Sequence, residues 1–501
     1  MNIMEENRKQ PLPGTRGLVM REPAIFEIGA PGRTGASIPD PGVERTNPEK
    51  IYGDLSRKEL ADFPEASEAE VVRHYHRLSS YNFHVDSGFY PLGSCTMKYN
   101  PKCNDKWSGL DGFAGSHPYL PTKAAQGALE MMALLEKYLA EITGMDAVTL
   151  QPAAGAHGEM TGLLLIAAYL RKRGDTRRKV VLVPDTAHGT NPASCKLAYF
   201  DIKEVKSEPT GRISVETIKK ACDDTTAALM VTNPNTLGIF ESEIVEIAKV
   251  LHERGALLYC DGANMNAIMG IARPGDMGID VIQLNLHKTF STPHGGGGPG
   301  SGPVCVKKIL EPYLPVPRIE RDGDCWKASD DYPETIGRVR SFFGNFGVMI
   351  KAFAYIRSMG PDGLKRASEL AVLNANYLKA RLRKTYNLPY DRPSMHECVF
   401  DDKHLKKTGI ATMDIAKRLI DYGFHPPTVY FPLVVHGALM IEPTETETIE
   451  TIDAFVEALE LISKEAEETP DLVHTAPHNT VVRRMDETRA ARQPKLRWQK
   501  E

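Results

Sequence analysis

The stretch ALLYCDGANMNAIMGIARPGDMGIDVIQLNLHKT, residues 256–289, contains two short apolar runs that each end in polar residues. The runs at 256–260 and 281–285 have the length and composition of buried β-strands. Asp261 follows the first run directly, and Lys288 follows the second run. Because ligands of parallel sheets bind beyond the carboxyl ends of the strands, this stretch predicts an α/β fold with a ligand site that includes both residues.

Similar patterns extend on both sides of this stretch. Strands are predicted at 179–184, 227–232 and 303–307, with a further strand end at 147–152. Helices are predicted at 124–144, 156–171 and 241–255. Strands that alternate with helices predict a mostly parallel sheet that helices cover on both faces.

The chain has 501 residues, which is more than one hydrophobic core usually holds. We expect an extended N-terminal arm at 1–75, a large α/β domain at 76–345, a smaller α+β domain at 346–470 and a C-terminal tail at 471–501. The arm is predicted from its many Pro, Gly and charged residues. The smaller domain is predicted from a long helical pattern at 346–384 and a helix at 447–468, with strand-like runs between them.

The composition argues against several classes of protein. The formal net charge is −4 and the pI is about 6.5, which disfavours nucleic-acid binding. The sequence has no run of about 18 apolar residues and no secretory signal pattern, so we expect no membrane span. Because its eight cysteines show no C-x-x-C or zinc spacing, we predict a reduced, cytoplasmic protein without a metal site.

The other predicted strand ends also carry small or polar residues. These are Ala154, Gly155, Ala156 and His157 before a helix, His188 after 179–184, Asn233 and Thr236 after 227–232, and Ala263 two positions after Asp261. Backbone N–H groups at a helix start favour an anion, because the helix dipole is positive there. This edge of the sheet therefore combines an anion cradle, a histidine, an acid and a lysine.

That combination fits pyridoxal 5'-phosphate (PLP). The helix start suits the phosphate, and the Lys288 amine suits a covalent bond with the aldehyde. Asp261 beside the pyridine nitrogen would keep that nitrogen protonated. A histidine can stack on one face of the ring, and the small Ala263 lets the ring lie close on the other face.

Competing interpretations are weaker. The G-x-G-x-x-G pattern of a nicotinamide site does not follow the first strand, and the G-x-x-x-x-G-K-[ST] pattern of a P-loop is absent. Taken alone, Asp261 could be a turn former, His188 a structural histidine and Lys288 a surface lysine. Their joint position at the strand ends favours the PLP site.

Several long segments resemble the glycine dehydrogenase (decarboxylating) family, the P-protein of the glycine cleavage system. They are NLHKTFSTPHGGGGPGSGP (285–303), LQPAAGAHGEMTGL (150–163), VPDTAHGTNPAS (183–194), TNPNTLGIFE (232–241) and CDGANMNAI (260–268), with similar flanking segments at 88–101 and 421–447. Some members of this family are one long chain, and others are split into two subunits. The resemblance implies subunit 2, the C-terminal-half subunit that bears the PLP lysine, and fold type I of the PLP-dependent transferases.

The resemblance implies a role for each residue around the cofactor. Lys288 binds PLP covalently, Asp261 holds the ring nitrogen, and His188 stacks on the ring, with His157 as the competitor for that position. Asn233 and Thr236 border the ring hydroxyl. The phosphate turn departs from one common form of the family, which has a serine and a glutamine where Ala154 and His157 stand, so backbone amides must hold more of the phosphate.

Roles for the lysine segment follow from the same resemblance. His287 contacts the phosphate or orders the loop, and His294 is a weaker candidate for proton transfer. The glycines Gly295–Gly298 leave room for a lipoyl arm or for the partner subunit. The group that binds the glycine carboxylate stays open, with Arg338, Arg340 and His396 as candidates.

The implied reaction is the PLP-dependent oxidative decarboxylation of glycine. CO2 is released, and the aminomethyl group passes to the lipoyl cofactor of H-protein. The implied partners are lipoylated H-protein and P-protein subunit 1, with two copies of each subunit. Neither nucleic acid nor a membrane is expected as a partner.

Two other functions remain open from the residues. One is another fold type I PLP enzyme, such as a decarboxylase or a cysteine desulfurase. A desulfurase needs a cysteine in an exposed loop, and the sequence offers only Cys95 for that position. The other is a non-catalytic scaffold subunit, which the presence of both Lys288 and Asp261 disfavours.

Overall fold

The computed structural model describes residues 22–57, 63–295 and 300–499. The chain divides into two compact units, one formed by Met1–His84 with Ala476–Glu501 and the other by Val85–Thr475. The predicted boundary at residue 75 lies inside the helix Glu68–Ser79. The division into an arm, two domains and a tail stays a prediction.

The α-helices of the described residues are numbered in chain order. They are α1 (Pro48–Tyr52), α2 (Glu68–Ser79), α3 (Lys102–Ser108), α4 (Asp111–Ala114), α5 (Gln126–Thr143), α6 (Gly155–Lys172), α7 (Thr190–Leu197), α8 (Val215–Ala221), α9 (Ile244–Glu253), α10 (Leu286–Thr289), α11 (Phe346–Leu382), α12 (Thr412–Asp421), α13 (Ile449–Glu468), α14 (Pro470–His474) and α15 (Glu487–Arg492).

A seven-stranded sheet lies at the centre of the second unit. Its strands are β1 (Ala147–Thr149), β2 (Val180–Pro184), β3 (Asp201–Val205), β4 (Thr226–Thr232), β5 (Leu257–Gly262), β6 (Val281–Leu284) and β7 (Val304–Val306). The strand order is β1-β7-β6-β5-β4-β2-β3, and β7 pairs antiparallel with both of its neighbours. The other pairs are parallel, so the predicted mostly parallel α/β sheet is confirmed.

Both faces of this sheet are buried, because successive side chains of its strands enter two different cores. Leu229 and Val231 of β4 pack in a core with helices α5, α9 and α11. Ala228 and Met230 of the same strand pack in a second core with helix α6. All seven residues of β4 are buried, which accounts for its continuous apolar sequence.

Two strand regions have no apolar run and were not predicted. Strand β3 lies at the edge of the sheet with the sequence DIKEV, and three of its five residues are exposed. A hairpin of β8 (Arg318–Asp322) and β9 (Cys325–Ser329) is also largely polar. Apolar periodicity finds strands that are buried on both faces, so it misses an edge strand and a surface hairpin.

Glycines end or interrupt two long helices. Helix α5 ends where Gly144 adopts a left-handed conformation with φ +70°, as its sequence predicts. Helix α11 matches the long helical pattern, but Gly360 has φ +62° and ψ −178°, so the helical geometry breaks immediately before Pro361.

A smaller sheet of three antiparallel strands follows helix α11. It consists of β10 (Cys398–Asp401), β11 (Thr428–Val429) and β12 (Ala438–Ile441) in the order β10-β12-β11. Phe400 and Leu439 of this sheet pack with Leu419 of α12 and with Phe455 of α13. This arrangement of helices and strands agrees with the helical patterns at 346–384 and 447–468 and with the strand-like runs between them.

The first unit has its own buried polar network. The Glu22 carboxylate accepts hydrogen bonds from Arg77 Nε (2.6 Å) and from His74 Nδ1 (2.9 Å), both on helix α2. The hydrogen bond from Arg77 holds the pKa of Glu22 below its ordinary value. Phe26 stacks on Trp498 with ring centroids 5.2 Å apart, so residues near both ends of the chain meet in this unit.

Within the parts of the chain that the structure describes, every helix is too short or too polar to cross a membrane.

Candidate active site

Strands β4, β5 and β6 end side by side, and the predicted site residues follow them. Thr232 at the end of β4 pairs with Asp261 on β5, and Asp261 pairs with Gln283 on β6. Lys288 lies on the short helix α10, just beyond β6. The structure therefore brings together Asp261 and Lys288 at one edge of the sheet, as the sequence predicts.

Asp261 is held by three N–H donors. Its Oδ2 atom accepts from Asn191 Nδ2 (3.0 Å), and its Oδ1 atom accepts from the backbone N–H of Ala263 (3.0 Å) and from Gln283 Nε2. The side chain is 2% exposed. The carboxylate thus has a fixed orientation at the end of β5.

Lys288 is a buried lysine with few partners. It is 7% exposed, and its Nζ atom donates to the carbonyl oxygen of Ser94 (2.8 Å). Ser94 belongs to the segment 88–101, for which the sequence offered a resemblance but no role in the site.

His188 is fixed by a chain of hydrogen bonds. Its Nδ1 atom lies 2.9 Å from Thr190 Oγ1, which donates to Glu159 Oε1 (2.8 Å). Its ring also meets the ring of Phe431 edge to face, with centroids 5.5 Å apart. Burial lowers the pKa of His188, and the nearby Asp261 carboxylate opposes that shift. The imidazole therefore has a defined position close to Asp261.

Glu159 is a candidate site residue that the sequence analysis did not identify. It lies on helix α6, is 3% exposed, and accepts from Ser194 Oγ (2.9 Å) as well as from Thr190. Burial, together with repulsion from Asp261, raises the pKa of Glu159 to about 7. One sequence signal was available: Glu159 falls on the face of α6 that otherwise buries Gly155 and Gly162 against the sheet.

The residues predicted to bind the phosphate lie at the start of helix α6. Ala154 is the N-cap residue and provides no side-chain cap, so first-turn N–H groups stay available for an anion. Ala156 is exposed there, and the backbone N–H of Ala153 donates to His157 Nδ1 (3.1 Å). Gly155 is required because a Cβ atom at this position would lie 2.3 Å from Asn285 Nδ2.

Asn233 and Thr236 have different surroundings. The Asn233 Oδ1 atom accepts from the backbone N–H of Glu241 (3.0 Å), while its Nδ2 atom is buried and has no partner within the described residues. The Thr236 hydroxyl donates to the carbonyl oxygen of Thr186 (2.5 Å). Asn233 therefore has a free donor, and the hydroxyl of Thr236 is engaged within the protein.

His287 and His294 lie edge to face, with ring centroids 5.1 Å apart. Burial lowers the pKa of His287 to about 3 and that of His294 to about 4. Both rings are thus neutral near pH 7. Gly295 has φ +68°, and Gly296–Gly298 of the same run lie outside the described residues.

The three candidates for the glycine carboxylate differ in position. Arg338 forms an ion pair with Asp330 (2.9 Å) and is half-exposed, and Arg340 donates to Asn345 Oδ1 (3.1 Å). His396 is fully buried, and burial with the positive charge of Lys288 lowers its pKa to about 3.

Unpaired buried atoms concentrate near the carboxyl ends of the strands. Within the described residues they include Asn191 Oδ1, Asn233 Nδ2, Gln283 Oε1, Asn285 Oδ1, Thr289 Oγ1, Thr292 Oγ1 and Ser301 Oγ. Most buried polar atoms in proteins are hydrogen-bonded, so such a group indicates a polar ligand. Together with the uncapped helix start and the Lys288 amine, these atoms fit PLP.

The sequence offers Cys95 as the cysteine of an exposed loop, and Cys95 is partly exposed in the structure. Cys103 and Cys325 are exposed, but they belong to helix α3 and strand β9 and not to loops.

Two family models match the chain. The model of the glycine dehydrogenase C-terminal domain matches residues 367–484, and the class-V aminotransferase model matches residues 157–310. The second match covers helix α6, strands β2 to β7 and the lysine. The fold is that of the PLP-dependent class-V aminotransferases.

Solved structures agree with this fold. The chain is similar to a crystal structure of glycine decarboxylase (P-protein) of the glycine cleavage system in inhibitor-bound form, with a TM-score of 0.69, 21% identity and coverage of 83% of this chain and 95% of that chain. It is also similar to an apo cysteine desulfurase from Thermococcus onnurineus, with a TM-score of 0.59, 16% identity and coverage of 77% and 96%. At these identities the likeness concerns the fold alone.

Sequence relatives are much closer. A probable glycine dehydrogenase (decarboxylating) subunit 2 from Listeria monocytogenes is 57% identical over 96% of this chain and 98% of its own length. A relative of the same name from Caldanaerobacter subterraneus is 59% identical over 95% of this chain and 98% of its own length. The chain therefore belongs to the glycine dehydrogenase (decarboxylating) subunit 2 family of the glycine cleavage system.

Proposed function

We propose that this chain decarboxylates glycine with PLP bound covalently to Lys288 and passes the aminomethyl group to the lipoyl arm of H-protein. One observation carries the proposal: a buried lysine amine, with one hydrogen bond among the described residues, follows β6, and a fixed aspartate lies at the end of the neighbouring strand β5. An enzyme of this class needs both groups on one side of the sheet.

Lys288 and Asp261 have different roles in the proposed function. Bound PLP supplies an electron sink for the glycine α-carbon. Lys288 would anchor the cofactor, and its buried amine would stay within the site. Asp261 holds a proton at the pyridine nitrogen, and its three N–H donors keep the carboxylate aimed at one place.

The other site residues orient the cofactor. The first-turn N–H groups of α6, from Gly155 to His157, bind the phosphate, and Ala263 leaves space beside the ring. His188 lies against the ring, held through Thr190 by Glu159. Asn233 offers its free Nδ2 donor to the ring hydroxyl.

The partners follow from the family. We infer that the chain assembles with the other P-protein subunit, with two copies of each, because its relatives are named subunit 2. Lipoylated H-protein accepts the aminomethyl group. The bacterial relatives and the eight unpaired cysteines support a cytoplasmic location.

Cysteine desulfuration is the second candidate function, because Cys95 follows Ser94, whose carbonyl accepts from Lys288. Its partial exposure leaves this thiol accessible. The relatives of high identity carry the glycine dehydrogenase name, which favours glycine as the substrate.

The test begins with the complex of this chain, PLP and the other subunit. Borohydride reduction followed by peptide mass spectrometry is expected to find the cofactor on Lys288. Modification of a different lysine, or of none, contradicts the anchor. Glycine-dependent exchange of radiolabelled bicarbonate, stimulated by H-protein, then tests the reaction, and exchange with alanine in place of glycine is the matched control.

A further inference from the structure

Three fully buried side chains cluster near Lys288, and two of them have unsatisfied polar atoms. His396, Glu397 and Glu442 are each 0% exposed, and one nitrogen or oxygen atom of each lies within 4.8 Å of the others. Both ring nitrogens of His396 and the Oε2 atom of Glu442 have no partner within the described residues. Each such atom costs about 1–3 kcal/mol of stability, so a ligand that pairs with them is expected.

One loop fixes this cluster and Lys288 together. The backbone N–H of Ser94 donates to Glu397 Oε2 (2.6 Å), and Thr96 Oγ1 donates to Glu442 Oε1 (2.6 Å). The carbonyl of Ser94 accepts from Lys288 Nζ (2.8 Å). The loop therefore holds one oxygen of each carboxyl. The other oxygen of Glu397 accepts a long hydrogen bond from Asn264 Nδ2 (3.5 Å), and Oε2 of Glu442 stays without a partner within the described residues.

The cluster is uncharged near neutral pH. Burial raises the pKa of Glu397 to about 8, against the opposing effects of the Ser94 N–H and of Lys288. Burial, with repulsion from Glu397 and Glu445, raises the pKa of Glu442 far above its ordinary value. Glu445 is itself paired with the ammonium of Lys98.

His396 is neutral as well, because burial and Lys288 hold its pKa near 3. The cluster thus offers the carboxylic O–H of Glu442 and one imidazole N–H, and the neutral carboxyl of Glu397, which has only a long hydrogen bond at Oε1, lies beside them. Hydrogen bonds from O–H groups to a carboxylate are short and strong, so the natural ligand of this donor set is a small anion.

We propose that His396, Glu397 and Glu442 form the subsite that binds the carboxylate of glycine. The inference rests on the proposed function and adds the group that recognises the acid end of the substrate. Arg338 is ion-paired with Asp330, and Arg340 is bonded to Asn345, so neither guanidinium is assigned this task.

The absence of a guanidinium in this subsite suits a decarboxylase. A guanidinium stabilises a bound carboxylate strongly, and that stabilisation is lost when the group leaves as neutral CO2. Neutral donors hold the carboxylate less tightly in the ground state. The subsite therefore orients glycine and loses less binding free energy as the charge leaves the carboxylate.

The test compares Glu442→Gln with Glu442→Ala in the PLP-loaded complex with the other subunit. Glycine binding is measured at pH values from 6.5 to 9.5, from the change in cofactor absorbance as glycine is added. The binding of methylamine, which lacks the carboxylate, is measured in parallel. The affinity for glycine divided by the affinity for methylamine then measures the contribution of the subsite. Urea unfolding of each variant verifies that it is folded.

In the wild-type complex, the affinity ratio is expected to fall as pH rises above about 8, because the carboxyl of Glu397 ionises and repels glycine. Glu442→Ala should lower the ratio roughly 10- to 100-fold near pH 7, the loss of one hydrogen bond to a charged group. Glu442→Gln keeps a neutral N–H donor and should stay within about threefold of wild type. Glu397→Gln should keep the ratio high at pH 9.

Three results would overturn the inference. One is an affinity ratio that stays constant in Glu442→Ala and across the pH range. Another is an equal loss of glycine and methylamine binding in Glu442→Ala. The third is a stoichiometric divalent cation in the purified complex that Glu442→Ala removes. A wild-type complex whose absorbance does not respond to glycine would contradict the proposed function instead, so the two failures are distinguishable.

Discussion

Lys98 and Lys288 are both buried in the larger unit, and their surroundings differ. Lys98 is 2% exposed, and its Nζ atom donates to Glu445 (2.7 Å), Asn266 (2.8 Å) and Tyr355 (3.2 Å). Lys288 is 7% exposed, and within the described residues its Nζ atom donates to one carbonyl oxygen. One ammonium has a carboxylate and two further acceptors, and the other has no ion pair among those residues.

This difference indicates that the Lys98 amine stabilises the fold and that the Lys288 amine serves the reaction. A buried charge that is paired and fully hydrogen-bonded makes a rigid, specific contact. The amine of Lys288 lies among unpaired atoms such as Thr289 Oγ1 and Glu442 Oε2. We infer that selection at Lys98 acts on stability, and that selection at Lys288 acts on function despite a stability loss.

The largest effect is expected from Lys288→Met. Without the covalent anchor, glycine-dependent bicarbonate exchange should fall by roughly three orders of magnitude or more. The free energy of unfolding of the unloaded protein should stay equal or rise, because the substitution removes a buried amine with a single hydrogen bond. Exchange assays and urea unfolding measure the two quantities. A large loss of stability in Lys288→Met would contradict the proposed difference between Lys288 and Lys98.

The opposite result is expected from Lys98→Met. The substitution leaves Glu445 buried without its cation, which should lower the free energy of unfolding by about 3–5 kcal/mol. The double variant Lys98→Met with Glu445→Gln removes the stranded charge and should recover most of that loss. Urea unfolding gives the measurement. A destabilisation below about 1 kcal/mol would show that this pair is not structural.

Glu159→Gln is expected to stabilise the protein, with a dependence on pH. The folded-state pKa of Glu159 is about 7, and an unfolded glutamate titrates near 4.3, so the folded protein holds this proton more tightly. Stability is therefore lost as pH rises from about 4.3 to 7 and stays lost above that range.

A glutamine cannot ionise, so near pH 8 Glu159→Gln should exceed wild type by on the order of 1–2 kcal/mol. The difference should vanish near pH 4.5. The matched control is Glu253→Gln on the exposed face of α9, which should show no such pH dependence. Thermal melting across this pH range measures the difference in stability. A Glu159→Gln variant that is less stable than wild type at pH 8 would contradict the assignment of Glu159 to the candidate active site.

The smallest effect is expected from Cys95→Ser. If the substrate is glycine and no thiol takes part, bicarbonate exchange should stay within about twofold of wild type, because the substitution keeps the size of the side chain. Cys103→Ser, at an exposed position on α3, is the control. A selective loss of exchange in Cys95→Ser would revive the desulfurase alternative.

Apolar patterning and the strand-end rule together predicted much of the site. Asp261 and Lys288 each follow a continuous apolar strand, so their meeting at one edge could be read from the sequence. Strand β3 could not be predicted, because its polar sequence reflects an edge position that only the assembled sheet defines.

The buried acids escaped prediction for a different reason. Glu159 lies within a helix, where its position on the face of Gly155 and Gly162 is the one local signal, and Glu442 directly follows a strand without a pattern that distinguishes it from a surface glutamate. Their burial arises from contacts between segments distant in the chain, such as the hydrogen bond from Thr96 to Glu442. Sequence periodicity describes local structure, so it does not report such contacts.

The contact between Phe26 and Trp498 has a consequence for folding kinetics. The two rings belong to one compact unit, yet the whole of Val85–Thr475 separates its two segments. During synthesis, the N-terminal segment emerges first and cannot form this contact until Trp498 leaves the ribosome. Loop-closure entropy grows only with the logarithm of length, so the equilibrium penalty is modest. The delay leaves Phe26 without its stacking partner during translation, and chaperone dependence should therefore concentrate in this unit.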